Sequence, residues 1–381
     1  MKLERSAQAT RRPSLGPWAM AIVLAAMWAI LALLPATGDR FLTQGNFASL
    51  MSQTAVLLVA SVGMTLAILI RGIDLSVGAG VALTGVVAAL AHAKLGLPVP
   101  LAIVTAIGAG ALIGAWHGLW VAWLGVPAFI ATLAGFKAYR GGALLLSHAT
   151  TVQMDDFDVF NHPLPVGVTW ALVLGLLAVG VAITLREATR RKQLGLPPLT
   201  SLAVGGRLAG QALLAALVLA IYGGRGMPVL VVVAGAVALA GVFVTRRTRF
   251  GRHLFAIGGN PEAARLSGID VKRATLYVYI ILGVLVAIAG VLAGARTVSV
   301  TPGTQGNLLE LDAVTAVVIG GTSLSGGRGS VAGTVLGTLV FGTLSNGMNL
   351  LHIDSDWQWV FTGMILLVAA LIDVLSKGKR S

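Results

Sequence analysis

The sequence predicts an all-α, polytopic membrane protein with about twelve transmembrane helices, within a range of about ten to twelve. Hydrophobic residues make up 56% of its 381 residues and charged residues only 11%, whereas roughly a quarter of the residues in soluble domains are charged. Mean hydropathy is +0.89, and apolar runs of about 20 residues, each able to cross a bilayer, recur along the chain. The 49 glycines favour close helix packing and glycine-rich, broken helices in lipid.

The apolar runs place the predicted spans. The first run, 18–34, follows a basic tail and resembles a signal peptide, but we interpret it as a retained helix because no small-x-small cleavage site follows it. The segment 310–326 is rich in glycine and small polar residues, so it either crosses the membrane or forms a re-entrant, broken helix. After the first run, spans are predicted at 49–70, 74–92, 99–123, 126–147, 166–186, 200–222, 227–245, 274–295, 310–326, 331–351 and 357–375.

Charge placement predicts which side of the membrane each loop faces. The formal net charge of +13 could indicate nucleic-acid binding, but the lysines and arginines lie in short loops between apolar spans, which is typical of membrane topology. The loops predicted to lie outside are acidic instead, as at Asp155 and Asp354. The positive-inside bias therefore predicts a cytoplasmic tail at 1–16, a transmembrane domain at 17–375 with a cytoplasmic loop at 246–273, and a cytoplasmic tail at 376–381.

The longest polar interval, 245–273, contains a short helix with both ends marked. Asn260 is a good N-cap, and the proline that follows it suits the first helical position. Glu262 lies in the first turn, where the helix dipole favours a negative charge, and Gly268 can end the helix in a left-handed conformation. The predicted helix, Pro261–Ser267, is too short to be stable alone in water. It therefore packs on its own protein, which the capping signals alone favour, or docks on a cytoplasmic partner.

Two glycine-rich segments echo each other. Residues 70–80 align with residues 319–329, with matching isoleucine, leucine, serine and glycine positions. Each segment is predicted to follow one span and to open the next. An internal repeat of the kind found in transporters would explain the match, and so would the abundance of glycine and serine in this composition.

The residues needed for enzyme chemistry are missing from the sequence. It has no cysteine, and no G-x-x-x-x-G-K-[ST] loop that could cradle the phosphates of ATP. Its six histidines are not paired at metal-ligand spacing, and no carboxylate pair is typical of a hydrolase. We therefore expect no catalytic residue, no metal site and no cofactor bound by this chain, and no enzymatic activity.

Polar side chains inside or at the ends of the predicted spans are candidates for a translocation pathway. Ionisable groups at membrane depth usually face the bundle interior and often pair. A structural ion pair, an interfacial position or a helix–helix hydrogen bond would explain the same residues, and for Asp74 this explanation is favoured. The candidates are Gln53, Asp74, Ser76, Arg140, Asp312 and Asn346.

Four motifs together resemble those of a known family, the permease subunits of monosaccharide ABC importers for ribose, arabinose, galactose and xylose. The resemblance covers most of residues 45–374. An additional basic loop and span, about residues 186–221, looks like the xylose-type permease and suggests D-xylose as the substrate. The motifs are Gly72–Gly78, Pro127–Leu133 followed by Tyr139–Gly141, Thr248–Arg252 with Ala256–Gly268, and Ala316–Ser330.

The resemblance implies a transport mechanism with several partners. Two copies of the permease would form a pore in the bacterial inner membrane, surrounded by lipid. A periplasmic binding protein would deliver the monosaccharide, and a separate cytoplasmic ATPase subunit would bind Mg and hydrolyse ATP. No nucleic acid is implied.

Under this resemblance, the short capped helix becomes a coupling helix seated on the ATPase, and docking becomes the favoured interpretation. Gly258 and Gly259 would permit the turn into it, while Glu262 and Arg265 would contact the ATPase. The coupling residues are Gly258, Gly259, Asn260, Pro261, Glu262, Ala263, Ala264, Arg265 and Gly268. The alternative function is a proton-coupled secondary sugar transporter, which would need an intramembrane acid such as Asp74 or Asp312.

Overall fold

The computed structural model describes residues 16–197 and 199–378, with side chains from residue 20 to residue 371 apart from residue 198. Residues 1–15 of the predicted N-terminal tail and residues 379–381 of the predicted C-terminal tail lie outside the described residues. Within the described ranges the chain forms fifteen α-helices and only two short strands. The predicted all-α, polytopic fold class is confirmed.

Most of the regular structure consists of long helices joined by short connections. A 3₁₀ helix spans Asp155–Phe160, and strands β1 (Val152–Gln153) and β2 (Ser299–Val300) pair antiparallel. The α-helices are α1 (Gly16–Leu33), α2 (Gly38–Phe41), α3 (Gln44–Leu69), α4 (Val77–Ala93), α5 (Val99–Ala122), α6 (Ala128–Leu146), α7 (Val166–Gln193), α8 (Ser201–Tyr222), α9 (Val229–Arg247), α10 (Arg249–Gly259), α11 (Pro261–Leu266), α12 (Val271–Thr297), α13 (Leu309–Ile319), α14 (Val331–Leu350) and α15 (Ser355–Gly378).

Helices α3 and α12 form the centre of the bundle. In α3, 83% of the most apolar stretch is buried, and in α12 the share is 61%. Helix α12 packs so closely against α5 that a Cβ atom on Gly283 would collide with the carbonyl oxygen of Gly110. A Cβ on Gly114 would likewise collide with the Tyr279 carbonyl oxygen. Such close backbone contact holds helices together in lipid, where apolar burial alone gives little driving force.

Each predicted span contains a helix in the structure. Seven of these helices, α3, α5, α7, α8, α9, α12 and α14, are long and apolar enough to cross a membrane. Helices α1, α4 and α15 contain shorter apolar stretches. In the described part of the chain, the remaining two predicted spans correspond to α6, which carries Lys137 and Arg140, and to α13.

At both glycine-rich segments the structure differs from the predicted spans. Helix α4 begins at Val77 instead of residue 74, because residues 72–74 adopt an irregular conformation before a turn. Helix α13 has 11 residues, about 17 Å of helix, which is too short to cross the hydrocarbon core. Residues 320–330 after it are turns and irregular backbone. The segment predicted at 310–326 is therefore a broken element rather than one continuous helix.

Helices α7 and α8 form a hairpin at the edge of the bundle. Only 11% of the most apolar stretch of α7 and 6% of that of α8 are buried. The two helices are joined by a hydrogen bond of 3.1 Å from Gln211 to Thr184 and an ion pair of 3.1 Å between Arg207 and Glu187. This hairpin contains the additional segment predicted at about residues 186–221.

Candidate functional site

The short helix predicted from the capping pattern is present as α11. The Asn260 Oδ1 atom accepts hydrogen bonds from the backbone amides of Glu262 (3.0 Å) and Ala263 (3.1 Å). Gly268 follows with a φ of +83°. Both predicted ends of this helix are confirmed, with the last helical residue at Leu266 and Ser267 as the C-cap.

Helix α11 presents most of its side chains outward. Only Ala264 is buried, against Ile257 of α10 and Ala274 of α12. Glu262 and Arg265 form an exposed ion pair of 2.7 Å, and a hydrogen bond from Arg265 lowers the pKa of the Glu262 carboxyl. Such a pair contributes little to stability, because solvent screens it. Its charges remain available to a partner.

Leu266, whose side chain is 77% exposed at the end of α11, was not among the predicted coupling residues. Its position as an apolar residue within a polar interval could have identified it from the sequence. One exposed leucine is ordinary on a protein surface. Beside an exposed ion pair on a short helix, however, it adds apolar area to the outward face.

The two glycines before α11 are the last residues of α10, and neither has a positive φ. Gly258 is there for close packing, because a Cβ on it would collide with the Leu69 carbonyl oxygen and the Gly327 backbone nitrogen. A Cβ on Gly259 would meet open space. The left-handed glycine of this segment is Gly268. The two glycine-rich segments that echo each other, 70–80 and 319–329, are therefore neighbours here, and the end of α10 packs on both.

A cavity of about 490 Å³ lies between α3, α4, α12, α13 and α14. Its size is typical of small-molecule sites. Hydroxyl and amide side chains dominate its polar lining, together with one cation and one carboxylate, and Phe341 supplies an aromatic ring. The polar lining residues are Gln53, Thr54, Arg296, Thr297, Ser299, Thr301, Thr304, Gln305, Asn307, Asp312 and Ser345.

Two of the six predicted pathway residues, Gln53 and Asp312, line this cavity. Asn346 lies beside the lining residue Ser345, but its side chain exchanges two hydrogen bonds, of 2.8 and 3.0 Å, with Asn46 of α3. That contact is a helix–helix hydrogen bond, the alternative explanation for this residue as a pathway candidate.

Arg140 shapes the cavity wall without lining it. Its Nη1 atom donates hydrogen bonds of 2.8 Å to the carbonyl oxygens of Pro302 and Gln305. These carbonyls belong to the irregular segment between β2 and α13 that forms one wall of the cavity. A half-buried arginine that satisfies irregular backbone is the arrangement expected at membrane depth.

Asp74 and Ser76 form a separate buried cluster. Ser76 donates to Asp74 Oδ1 through its backbone amide (2.8 Å) and its hydroxyl (2.6 Å). The other carboxylate oxygen lies 3.5 Å from Nδ1 of His117, whose Nε2 lies 3.0 Å from the Tyr139 hydroxyl. Asp74 is 4% exposed and His117 is 1% exposed. This arrangement anchors the segment before α4, in keeping with the structural explanation favoured for Asp74.

Two further charged residues near the cavity were not selected from the sequence. Glu310, in the first turn of α13, is 6% exposed, and a Cβ on Gly78 would collide with its carboxylate. Arg296 lines the cavity from the last turn of α12. Two acidic residues in an otherwise apolar run, Glu310 and Asp312, could have indicated from the sequence that both lie near a polar site. The predicted span 274–295 ends one residue before Arg296, so Arg296 counted as a loop residue and not as a pathway candidate. In the part of the chain that the structure describes, no group of three or more His, Cys, Asp or Glu residues could hold a metal ion.

Comparison with known proteins identifies the family. The family described as "branched-chain amino acid transport system / permease component" matches residues 46–370. The chain belongs to this permease family. This membership confirms the resemblance to transport permeases that the sequence motifs suggested.

Several relatives of the permease carry names that specify sugars. The chain is 42% identical over 365 residues to the xylose transport system permease protein XylH of Escherichia coli K12, covering 93% of this chain and 92% of that protein. It is 39% identical over 367 residues to XylH of Haemophilus influenzae Rd, covering 94% and 96%. The ribose import permease protein RbsC of Escherichia coli K12 is 35% identical over 355 residues, covering 92% of each chain. No solved structure matches the permease.

Proposed function

We propose that this chain is the permease subunit of an ATP-driven ABC importer in the bacterial inner membrane, and that its substrate is the monosaccharide D-xylose. A periplasmic binding protein delivers the sugar, a second copy of the chain completes the pore, and a separate cytoplasmic ATPase binds Mg and ATP. The N- and C-termini and α11 face the cytoplasm, as the positive-inside bias predicts.

The choice of sugar rests on the relatives. The proteins named for xylose transport are 39% and 42% identical to this chain, and the protein named for ribose import is 35% identical. The α7–α8 hairpin supports the same choice, because the additional segment within it is the feature that resembles the xylose-type permease.

Helix α11 is the observation that carries the proposal of a separate ATPase. It buries one side chain and presents an ion pair and Leu266 outward. A two-turn helix with such an outward face suits a groove on a partner, and the chain has no phosphate-cradling loop of its own.

The cavity supports passage of a neutral, hydroxyl-rich molecule. Hydroxyls and amides can both donate and accept hydrogen bonds, so they can exchange partners with sugar hydroxyls as the molecule moves. An aromatic ring such as that of Phe341 can contact the apolar face of a sugar ring. The cavity also contains the charges of Arg296 and Asp312, and opposite charges in one cavity suit a neutral substrate better than an ion.

The test is purification of the tagged permease from native membranes in mild detergent, with mass spectrometry of the proteins that accompany it. We expect an ABC ATPase and a xylose-binding protein. Uptake of labelled xylose should continue when the proton gradient is collapsed and ATP is maintained. Transport by the permease alone after reconstitution, abolished by collapse of the gradient, would contradict the proposal and favour the proton-coupled alternative.

A further inference from the structure

Arg71 lies where three segments of the bundle meet. It follows the C-terminal end of α3 and adopts a φ of +67°, a region that non-glycine residues rarely occupy. An arginine held in this conformation indicates that its surroundings require both the turn and the side chain. Arg71 is an exposed residue, so burial of its side chain does not explain why its backbone is held in this conformation.

The Arg71 guanidinium binds the end of α10. Its Nε atom donates a hydrogen bond of 2.8 Å to the Gly258 carbonyl, and its Nη2 atom donates one of 2.7 Å to the Gly259 carbonyl. The last carbonyls of a helix lack intrahelical partners and carry the negative end of the helix dipole, so a cation is favoured there. Asn260, the next residue, is the N-cap of α11. Arg71 therefore fixes the position from which α11 begins.

The loop before α14 completes the junction. The Gly327 amide donates a hydrogen bond of 2.9 Å to the Leu69 carbonyl at the end of α3. A Cβ on Gly326 would lie 2.5 Å from the Cγ atom of Arg71, and a Cβ on Gly327 would lie 2.6 Å from the Gly259 nitrogen. The three backbones are thus in direct contact, and such a close-packed junction transmits displacement instead of absorbing it.

Short connections join this junction to the cavity. Residues 72–76, anchored by Asp74, lead into α4, whose Val81 lines the cavity. On the other side, the loop leads into α14, whose Phe341 and Gly342 line it. We infer that Arg71 is a positioning residue that transmits displacement of α11 to helices α4 and α14 on both sides of the cavity. The inference rests on the proposed function, because the ATPase of that proposal supplies the force that displaces α11.

The first test uses hydrogen exchange on the purified permease and needs no partner. In Arg71→Met, amides of residues 259–268 should exchange about tenfold faster, because two charge-assisted hydrogen bonds are lost. Arg71→Lys retains the charge but not the fork of donors, so an intermediate rate is expected. Arg328→Met is the matched control: Arg328 is an exposed arginine of the same junction, with no side-chain hydrogen bond among the described residues. Its exchange should match wild type.

The second test measures xylose uptake per ATP hydrolysed in the assembled importer. Arg71→Met should lower this ratio about tenfold while the ATPase still co-purifies, and Arg328→Met should not. Unchanged exchange, or faster exchange with an unchanged ratio, would overturn the inference. If Arg71→Met does not accumulate, Arg71→Lys decides by the same two measurements. If no ATPase accompanies wild type, the proposed function fails, and the exchange data still decide whether Arg71 positions α11.

Discussion

Replacing Asn260 by alanine removes the side-chain oxygen that caps the start of α11. Two backbone amides, those of Glu262 and Ala263, then lose their acceptor at 3.0 and 3.1 Å. Loss of an N-cap typically costs about 1 kcal/mol, within a range of about 0.5 to 2 kcal/mol. Asn260 is exposed, so water can reach both amides, and we take the central value. The equilibrium between folded and locally unfolded α11 should therefore shift about fivefold toward the unfolded form.

Hydrogen exchange measures this shift directly. The informative amides are those of Ala264, Ser267 and Ile269, which donate to carbonyls of the N-cap residue and of the helix itself at 3.0 to 3.1 Å. They should exchange about fivefold faster in Asn260→Ala, because local opening governs their exchange. A partner that binds only the folded helix should bind more weakly by the factor by which the folded fraction falls, at most about fivefold. Affinity for the co-purifying ATPase provides that second measurement.

A series of substitutions at this position separates capping from other effects. Asp and Ser cap about as well as Asn, and Gly costs only a few tenths of a kcal/mol. Asn260→Asp and Asn260→Ser should therefore match wild type, and Asn260→Gly should fall between them and Asn260→Ala. The φ of −153° at Asn260 is accessible to all of these residues. Equal exchange rates in Asn260→Ala and Asn260→Ser would refute the reasoning.

Three other substitutions test the α10 junction, the coupling helix and the cavity. Gly327→Ala should lower the free energy of unfolding of the detergent-solubilised protein by about 1 to 3 kcal/mol more than Gly321→Ala does. Both glycines have left-handed φ values, of +69° and +83°. Only at Gly327 would a Cβ atom meet neighbouring backbone. Glu262→Lys should weaken ATPase binding more than Glu262→Gln, because it reverses the charge beside Arg265. A hydrogen bond from Arg265 lowers the pKa of Glu262, so their ion pair should persist at neutral pH and be lost only when the pH falls below the ordinary range of a glutamate carboxyl. Asp312→Asn keeps a hydrogen-bonding side chain in the cavity, so ATP-driven uptake should remain within about threefold of wild type.

Each of these predictions has a clear contrary outcome. Equal melting temperatures for the two glycine variants would show that the α10 junction tolerates a methyl group. Normal uptake and normal ATPase stimulation in Glu262→Lys would remove that carboxylate from the coupling contact. Complete loss of transport in Asp312→Asn, with the ATPase still bound, would show that transport requires the carboxylate itself.

Local signals were enough to predict the membrane fold and the short helix. Span positions depend on runs of apolar residues, and the ends of α11 depend on Asn260 and Gly268, all of which are read over a few residues. The composition of 310–326 indicated that its helix could be broken, but it did not indicate where the helix ends. A helix in lipid can stop at Ile319 only where neighbouring backbone satisfies its polar groups, and those neighbours are distant in sequence.

Non-local contacts explain what the sequence could not predict. The Arg71 side chain meets Gly258 and Gly259 across almost 190 positions of sequence, and Arg140 meets Pro302 across 162. His117 gave no signal because its partners, Asp74 and Tyr139, come from different segments. The pathway candidates were chosen by residue type, which finds charges at membrane depth without separating cavity walls from buried supports.

The α7–α8 hairpin has a consequence for how this protein can be altered. Most of its hydrogen bonds are internal, and its links to the bundle, such as the 2.9 Å bond from Gln44 to the Ala220 carbonyl, lie near its termini. A unit attached in this way can be gained, lost or exchanged during evolution without repacking α3 or α12. The connection between α7 and α8 is for the same reason a suitable insertion point for a rigid fiducial domain, which would give this small membrane protein the size and asymmetry that electron cryomicroscopy requires.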